Sequence, residues 1–433
     1  MVILGAGVAG LAAAERLVAR GRKVTILEAR DRIGGRIWTL REPGLPVPIE
    51  LGAEFLHGEA EETRDVARRQ ALGVVDVNGR RFAPRRGRLR RLHDFDARIL
   101  GLMMRLQEDR EPDRSVAEAV KRIRSLGSQD RALVMRFVEG YHAADPARIS
   151  ERSIAGGEDP REMRIARIDG GYDRIVYALA SRVASRIRLE APVSRVRWRA
   201  REVVVEYGPG SSIAARAIIV TAPLGVLAAP DGSLGAVRFE PTLPAIEGAI
   251  GKLAMGGVIK VIFGLDEPVW LSARFRARHG DERFDRMAFV QLLGATPFPT
   301  WWTPYPAQAP TLVGWYGGPS AFKLAAEGKD RIIQVAKRAL ATAMGMAPRT
   351  VNQHVREVVM HNWISDPWSR GTYSYVTVGG SSAAAVLARP IQGTLFFAGE
   401  HASSGRNGTV DGAIASGRRA AEQVLRKGGK GRG

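Results

Sequence analysis

The chain has 433 residues and a mass of 47.0 kDa, enough for two or more domains. Apolar residues make up 45% and charged residues 25%, with a mean hydropathy of −0.12, an ordinary globular composition that excludes wholesale disorder. The formal charge of +20 raises nucleic acid or an anionic membrane as partners, but only nine of the 65 basic residues are lysine, and the arginines run along most of the chain rather than forming one patch. Cysteine is absent, which removes disulfides, thiolate metal sites and a cysteine nucleophile. No apolar run reaches the ~18–20 residues of a membrane span, and no basic segment leads into a signal-like apolar one. The expectation is a soluble, cytoplasmic protein.

Val2-Ile-Leu4 reads as a short strand, followed by the turn Gly5-Ala-Gly7-Val-Ala9-Gly10 and a helix through Leu17 that Arg20-Gly21 closes. Lys23 to Leu27 is a second strand, ending at Glu28, 18 residues beyond the last glycine. This is a βαβ unit carrying G-x-G-x-x-G and an acid at the distance that dinucleotide binding requires. Gly5 permits the tight turn, Gly7 lets backbone approach a pyrophosphate, and Gly10 lets helix and strand pack closely. The helix N-terminus offers unpaired N–H groups to phosphate, and Glu28 can accept from ribose hydroxyls.

The stretch Glu28-Ala-Arg30-Asp-Arg-Ile-Gly34-Gly35-Arg36 follows directly, adding a second glycine pair and two arginines able to neutralise a phosphate. Here the sequence resembles the flavin-dependent amine oxidases, namely monoamine oxidases, polyamine oxidases and lysine-specific histone demethylases. The resemblance implies that Gly5, Gly7, Ala9, Gly10, Glu28, Arg30, Gly35 and Arg36 bind FAD. The segment Ile49 to Gly58 is similar to the family stretch that passes the flavin ring, which implies Glu54 and Phe55 at the isoalloxazine edge. It also implies His57 as a polar group facing the substrate. Glu59, Glu61 and Glu62 come next, either as the acidic first turn of an exposed helix or as an acidic channel mouth that draws in cationic amines.

From about 60 to 165 the chain reads as mainly helical, with Ser115 and Glu118 forming a capping box. Seven arginines in the twelve residues Arg80–Arg91, broken by Pro84 and Gly87, form its one dense basic segment. It reads as a solvated hairpin or loop, with an anionic partner as the alternative; it lacks the interleaved aromatics of single-strand binders. Flavin-domain features return at Ile168-Asp-Gly-Gly-Tyr172, then a helix through about Arg186 and strands at 191–196, 202–206 and 217–220. The resemblance places the backbone of Val193 against adenine and makes Thr221 to Leu227 the exit from the sheet.

Lys260 stands in the apolar, β-rich run Gly256-Gly-Val-Ile-Lys-Val-Ile-Phe263, with Trp270 ten residues later. A lysine is costly to bury unless it is paired. The family places a lysine at this spacing, hydrogen-bonded through water to flavin N5, where it assists reoxidation by oxygen. Trp363 and Tyr373, in Trp363-Ile-Ser-Asp-Pro-Trp-Ser-Arg-Gly-Thr-Tyr373, match the family's aromatic walls, which exclude water and orient an amine. Thr372 falls where mammalian monoamine oxidases tether FAD through cysteine, so FAD is expected to be non-covalent. The closing motif, Leu395 to Ala413, implies that Glu400 binds the ribityl or pyrophosphate region and that Thr409 and Val410 offer N–H groups near the flavin pyrimidine. Thr409 departs from the oxidases, which have a second tyrosine there, and agrees with the demethylases; the departure implies a wider cavity. Trp301 and Trp302 fit either the cavity or the core.

The resemblance therefore implies an α/β fold: a Rossmann-like (GR2-type) FAD-binding domain, made of 1–65, 165–245 and 380–427, with an inserted α+β substrate-binding domain, 66–164 and 246–379. The residues 428–433 read as a flexible basic tail. The implied activity is oxidation of a primary or secondary amine, monoamine or polyamine, to an imine and aldehyde, with O2 reduced to H2O2. Lys260, Tyr373, Trp363 and His57 are the candidate catalytic residues. No metal, membrane span or specific nucleic acid is expected, and monomer and homodimer are both open. An L-amino-acid oxidase of similar fold, a basic nucleic-acid-associated flavoprotein and a redox-silent flavoprotein are the alternatives.

Overall fold

The computed structural model describes residues 1–42, 44–106, 111–155, 164–280 and 283–428. Of the expected tail, all but Gly428, where the last helix ends, lies outside the described residues. No helix among the described residues is long and apolar enough to cross a membrane.

The nucleotide-side sheet has five parallel strands drawn from three separated stretches of chain. Their order is Ile187–Arg188, Thr25–Leu27, Val2–Leu4, Ile218–Val220, Leu395–Phe397. The three central strands and their neighbour Leu395–Phe397 are short apolar runs because both faces of such a sheet are covered. Alternation divides the side chains: Ile3, Ile26, Ile219 and Phe396 enter one core with the helices Val8–Val18, Asp173–Ala180 and Val410–Gly428. Val2, Leu4, Leu27, Ile218, Val220 and Phe397 enter a second core, against the antiparallel strands Val193–Arg199 and Glu202–Tyr207.

A seven-stranded sheet carries the other half, in the order Val355–Met360, Val258–Leu265, Thr311–Gly317, Thr300–Trp302, Met287–Gln291, Arg80–Arg85, Arg88–Leu92. Val258–Leu265 is buried along its whole length, and its parity matters for the site. Ile259, Val261, Phe263 and Leu265 face a core closed by the helix Lys329–Ala343, so Val258 and Lys260 face the other way. Trp270 and Trp301 belong to that core.

The expectation of a mainly helical segment from 60 to 165 needs correction. Among the described residues four helices are present (Glu61–Arg69, Phe95–Met103, Val116–Arg122 and Ser128–Tyr141), and Ser115 caps the third by accepting from the Glu118 amide at 3.3 Å. Between the first two, Arg80–Leu92 forms a hairpin, one of the two forms expected for the basic run, and it pairs on the edge of the large sheet. Phe82 and Leu89 point into the core, while Arg86 and Gly87 both take positive φ, 50° and 74°, as a two-residue hairpin turn demands.

Candidate active site

A cleft with an empty volume of about 1380 Å³, its solvent-facing mouth included, runs between the parallel sheet and the large sheet. One end is built by the first βαβ unit. Gly5 sits at φ +100°, and a Cβ there would stand 2.7 Å from Thr221 Oγ1. At Gly10 a Cβ would meet Gly5 O at 2.0 Å, so helix and turn touch only because neither has a side chain. Gly7 has nothing within 4 Å of its Cβ position: the space over it is open cleft. Gly34 pairs with Gly7 in a parallel bridge and donates to Ala6 O at 2.9 Å, bringing the second glycine pair onto the first turn. The helix Val8–Val18 starts at this point, with Val8 and Ala9 in the wall.

Glu28 is buried. Its Oε2 accepts from the Ala6 amide at 2.7 Å and its Oε1 from the Arg30 amide at 2.9 Å, so each oxygen keeps a lone pair for a hydroxyl. Val193 lines the same end. Arg30, expected to neutralise phosphate, is committed elsewhere: its Nη2 pairs with Asp366 and donates to Ser369 Oγ, each at 2.9 Å. Burial would raise the Asp366 carboxyl, but His361 and Arg30 hold it down to about 2. Arg36 donates to Glu400 Oε1 at 2.9 Å and to Thr372 O at 2.6 Å.

Glu400 is buried and locks three segments together. Its Oε2 accepts from Ser374 Oγ at 2.6 Å and from the Gly408 amide at 3.0 Å. Burial opposes its ionisation, yet Arg36 and these donors keep it below the ordinary carboxylate range. Thr409 precedes the terminal helix: its hydroxyl accepts from the Gly412 amide at 2.9 Å, and Thr409 and Val410 both line the cleft.

The other end is aromatic. Lys260, Trp315, Trp363 and Tyr373 line it. Trp315 stands directly across from Lys260 in the sheet register, which one-dimensional pattern could not reveal; it is the main cleft residue that sequence reasoning missed. Trp363 donates its indole N–H to Leu51 O at 2.8 Å and Tyr373 its hydroxyl to Tyr141 O at 2.7 Å, so both rings are anchored by their polar tips. Burial raises the Tyr373 phenol, keeping it protonated. Lys260 is 3% exposed and points into the molecule rather than to solvent. Its Nζ is 2.7 Å from Glu54 Oε2 and 3.2 Å from Gly52 O. An ammonium has three donors, so one remains for the cleft.

Glu54 and Phe55 are not among the residues lining the cleft; they lie behind Lys260. Glu54 Oε1 accepts from Arg167 Nη2 at 2.8 Å and from Trp302 Nε1 at 2.9 Å. Burial opposes its charge, but Lys260 and Arg167 outweigh burial and hold the carboxyl below its usual range. Phe55 packs edge-on against Trp302 with the Arg167 guanidinium 4.6 Å over its ring. Trp302 thus belongs to this supporting layer and Trp301 to the core. His57 also lies outside the cleft wall, exposed beside Tyr141, whose hydroxyl is 3.4 Å from its Nδ1. Of the two readings of the acidic run, the first turn of a helix is the one present: Glu61 and Glu62 open the helix Glu61–Arg69, Glu61 pairs with Arg406 just before the terminal helix, and Glu62 and Asp65 pair with Arg418 on it.

A family model, flavin containing amine oxidoreductase, matches residues 8–425. Polyamine oxidase 4 of Oryza sativa subsp. japonica is 28% identical over 469 residues, covering 99% of this chain and 88% of that protein. Lysine-specific histone demethylase 1 homolog 3 of Arabidopsis thaliana is 27% identical over 98% of this chain but only 30% of its own length. In fold, the chain is similar to putrescine oxidase bound to putrescine (TM-score 0.80, 19% identity, 98% of each chain). It is equally similar to cyclohexylamine oxidase from Brevibacterium oxydans (TM-score 0.80, 21% identity, 98% of each chain). With a nucleotide cleft built on two touching glycine turns and a buried lysine at its aromatic end, the chain belongs to the flavin-containing amine oxidoreductase family.

Proposed function

We propose that this chain oxidises an amine to an imine, with FAD held non-covalently in the cleft and O2 as the final acceptor. Water then hydrolyses the imine to an aldehyde or ketone, and the oxygen leaves as H2O2. The observation that carries the reading is Lys260, buried at the aromatic end of the cleft whose other end carries the glycine turns, with one donor unspent. Bound there, FAD would supply the redox chemistry, accepting a hydride equivalent from the amine's α-carbon and passing electrons to oxygen.

The chain's own residues do the rest. Glu28 would hold the ribose hydroxyls, the start of the helix Val8–Val18 and the open face of Gly7 the pyrophosphate, and Val193 the adenine. Thr409 and Val410 would receive the pyrimidine end. With no cysteine in the chain, a thioether link is excluded. Trp315, Trp363 and Tyr373 desolvate the amine and orient it by its faces. Lys260 would hold a water at its free donor and deliver a proton where oxygen is reduced.

Charge in the cleft favours a monoamine bearing an apolar substituent. Its lining carboxylates are Glu28 and Glu400, both at the nucleotide side and both engaged, so nothing in the wall is set to receive the further ammonium groups of a polyamine. An amino-acid carboxylate fares no better, because Arg30 and Arg36 are each paired with an acid. The test is peroxide release across monoamines, diamines, spermidine, spermine and amino acids. Turnover fastest with apolar monoamines is expected. A preference for spermine would overturn the monoamine assignment, and absence of peroxide with every amine would overturn the oxidase reading.

A further inference from the structure

Three arginines of the basic run Arg80–Arg91 line a second, open concavity, separate from the cleft, with an empty volume of about 530 Å³, the solvent at its mouth included. Its walls come from three places: Arg80, Arg81 and Arg91 on the edge hairpin, Phe95 and Asp96 at the start of a helix, and Arg286 just before the adjoining strand. Strand pairing produces the convergence. Arg80 stands opposite Met287, which brings Arg286 beside it, and Arg91 stands opposite Phe82 across the hairpin.

The charges here are not balanced as they are in the cleft. Arg81 is neutralised, its Nε 2.9 Å from Asp96 Oδ2 and its guanidinium 4.3 Å over the Phe289 ring. Among the described residues, Arg80, Arg91 and Arg286 have no carboxylate within 4 Å, and the one hydrogen bond of the Arg286 side chain is long, 3.4 Å to Asn78 O. By contrast Arg30, Arg36 and Arg167 each pair with an acid. Asp285 feels the charge of Arg80 without pairing with it, so the three guanidiniums are only partly compensated; they repel one another, and a multiply charged anion relieves that repulsion while filling their planar donor forks.

We propose that this cavity binds a small molecule carrying two or more phosphate groups. Convergence of the arginines on one concavity suits a compact ligand rather than a duplex, which would need an extended basic stripe. The experiment uses the FAD-saturated holoenzyme, so that the nucleotide cleft is filled, and titrates it calorimetrically with inorganic tripolyphosphate and with ATP at ~150 mM salt. One site per chain is expected. R80A/R286A should weaken binding at least roughly tenfold, R91Q severalfold, and R182A, at an exposed arginine elsewhere, not at all. Amine turnover should be unchanged in all of them, which also shows that they fold; Arg91 is exposed, so R91Q disturbs no packing. If ATP binds and tripolyphosphate does so equally, the phosphates alone are recognised; if ATP binds more tightly, the ligand is an organic phosphate. Unchanged affinity in R80A/R286A and R91Q would overturn the proposal. So would binding lost at ~150 mM salt, or a short DNA duplex that outcompetes both phosphates at the same arginines.

Discussion

Glu54→Gln removes the carboxylate that faces two buried cations. Lys260 is 3% exposed, and Arg167, whose side chain is 16% exposed, binds the same carboxylate. A neutral amide leaves both positive charges in a poorly solvated layer, a change that costs about 3–5 kcal/mol when one partner of a buried pair is lost. At about 2–4 °C per kcal/mol for a large domain, Tm should fall on the order of 10 °C. Lys260→Met should cost less: Arg167 and Trp302 still satisfy Glu54 Oε1, and only Oε2 loses its donor. Thermal unfolding of wild type, both single variants and the double variant closes a cycle, and a coupling energy above ~1.5 kcal/mol is expected for groups in direct contact. A loss below ~1 kcal/mol in Glu54→Gln, or losses that add within ~0.5 kcal/mol, would refute the idea that this pair sets the position of Lys260.

Lys260→Met should keep its bound, yellow FAD while slowing turnover by about a hundredfold or more, the usual weight of a positioned proton donor; stopped-flow reoxidation checks it, and unchanged rates would remove Lys260 from the chemistry. Gly7→Ala and Gly10→Ala should separate binding from folding. A methyl at Gly7 meets nothing within 4 Å, so the apoprotein should stay within ~0.5 kcal/mol of wild type while FAD retention, followed by flavin fluorescence on dilution, is lost. At Gly10 the methyl meets Gly5 O at 2.0 Å, so stability itself should fall; equal behaviour of the two variants would contradict their assigned jobs. Burial pushes the Glu50 carboxyl up to about 7, against hydrogen bonds from the Tyr172 amide and Thr39. Its folded pKa exceeds the unfolded value, so the folded state holds an extra proton and stability falls as pH rises from ~4.5 through 7, by up to about 3 kcal/mol. Denaturation across that range should show the decline, and Glu50→Gln should flatten it; an unaltered slope in the variant would exclude Glu50 as its source.

The nucleotide end of the cleft was legible because its determinants are local. Gly5, Gly7 and Gly10 act through backbone geometry within one turn, and Glu28 follows at a distance fixed by one helix and one strand. The same holds for the capping box at Ser115, which involves a single helical turn. Arg80–Leu92 was legible only as a hairpin or a loop: Phe82, Ala83 and Leu89 are its buried apolar residues, and outward arginines mask a period of two.

What the sequence determined by itself is therefore the set of short-range devices, the glycine turns, the acid and the lysine in an apolar strand, together with the family they indicate. The tertiary structure decided how charge is distributed among them. Which of the many arginines faces which acid depends on strand register and on helices from opposite ends of the chain. Register put Trp315 across from Lys260, and chain folding put Glu54 between Lys260 and Arg167. It also spent Glu61 on Arg406 and Glu62 on Arg418 instead of on a channel mouth, while leaving Arg80, Arg91 and Arg286 around one cavity with no carboxylate within 4 Å among the described residues. Coulomb interactions fall with distance in space rather than along the chain, so a charge total of +20 could not show where the field is balanced and where it is not.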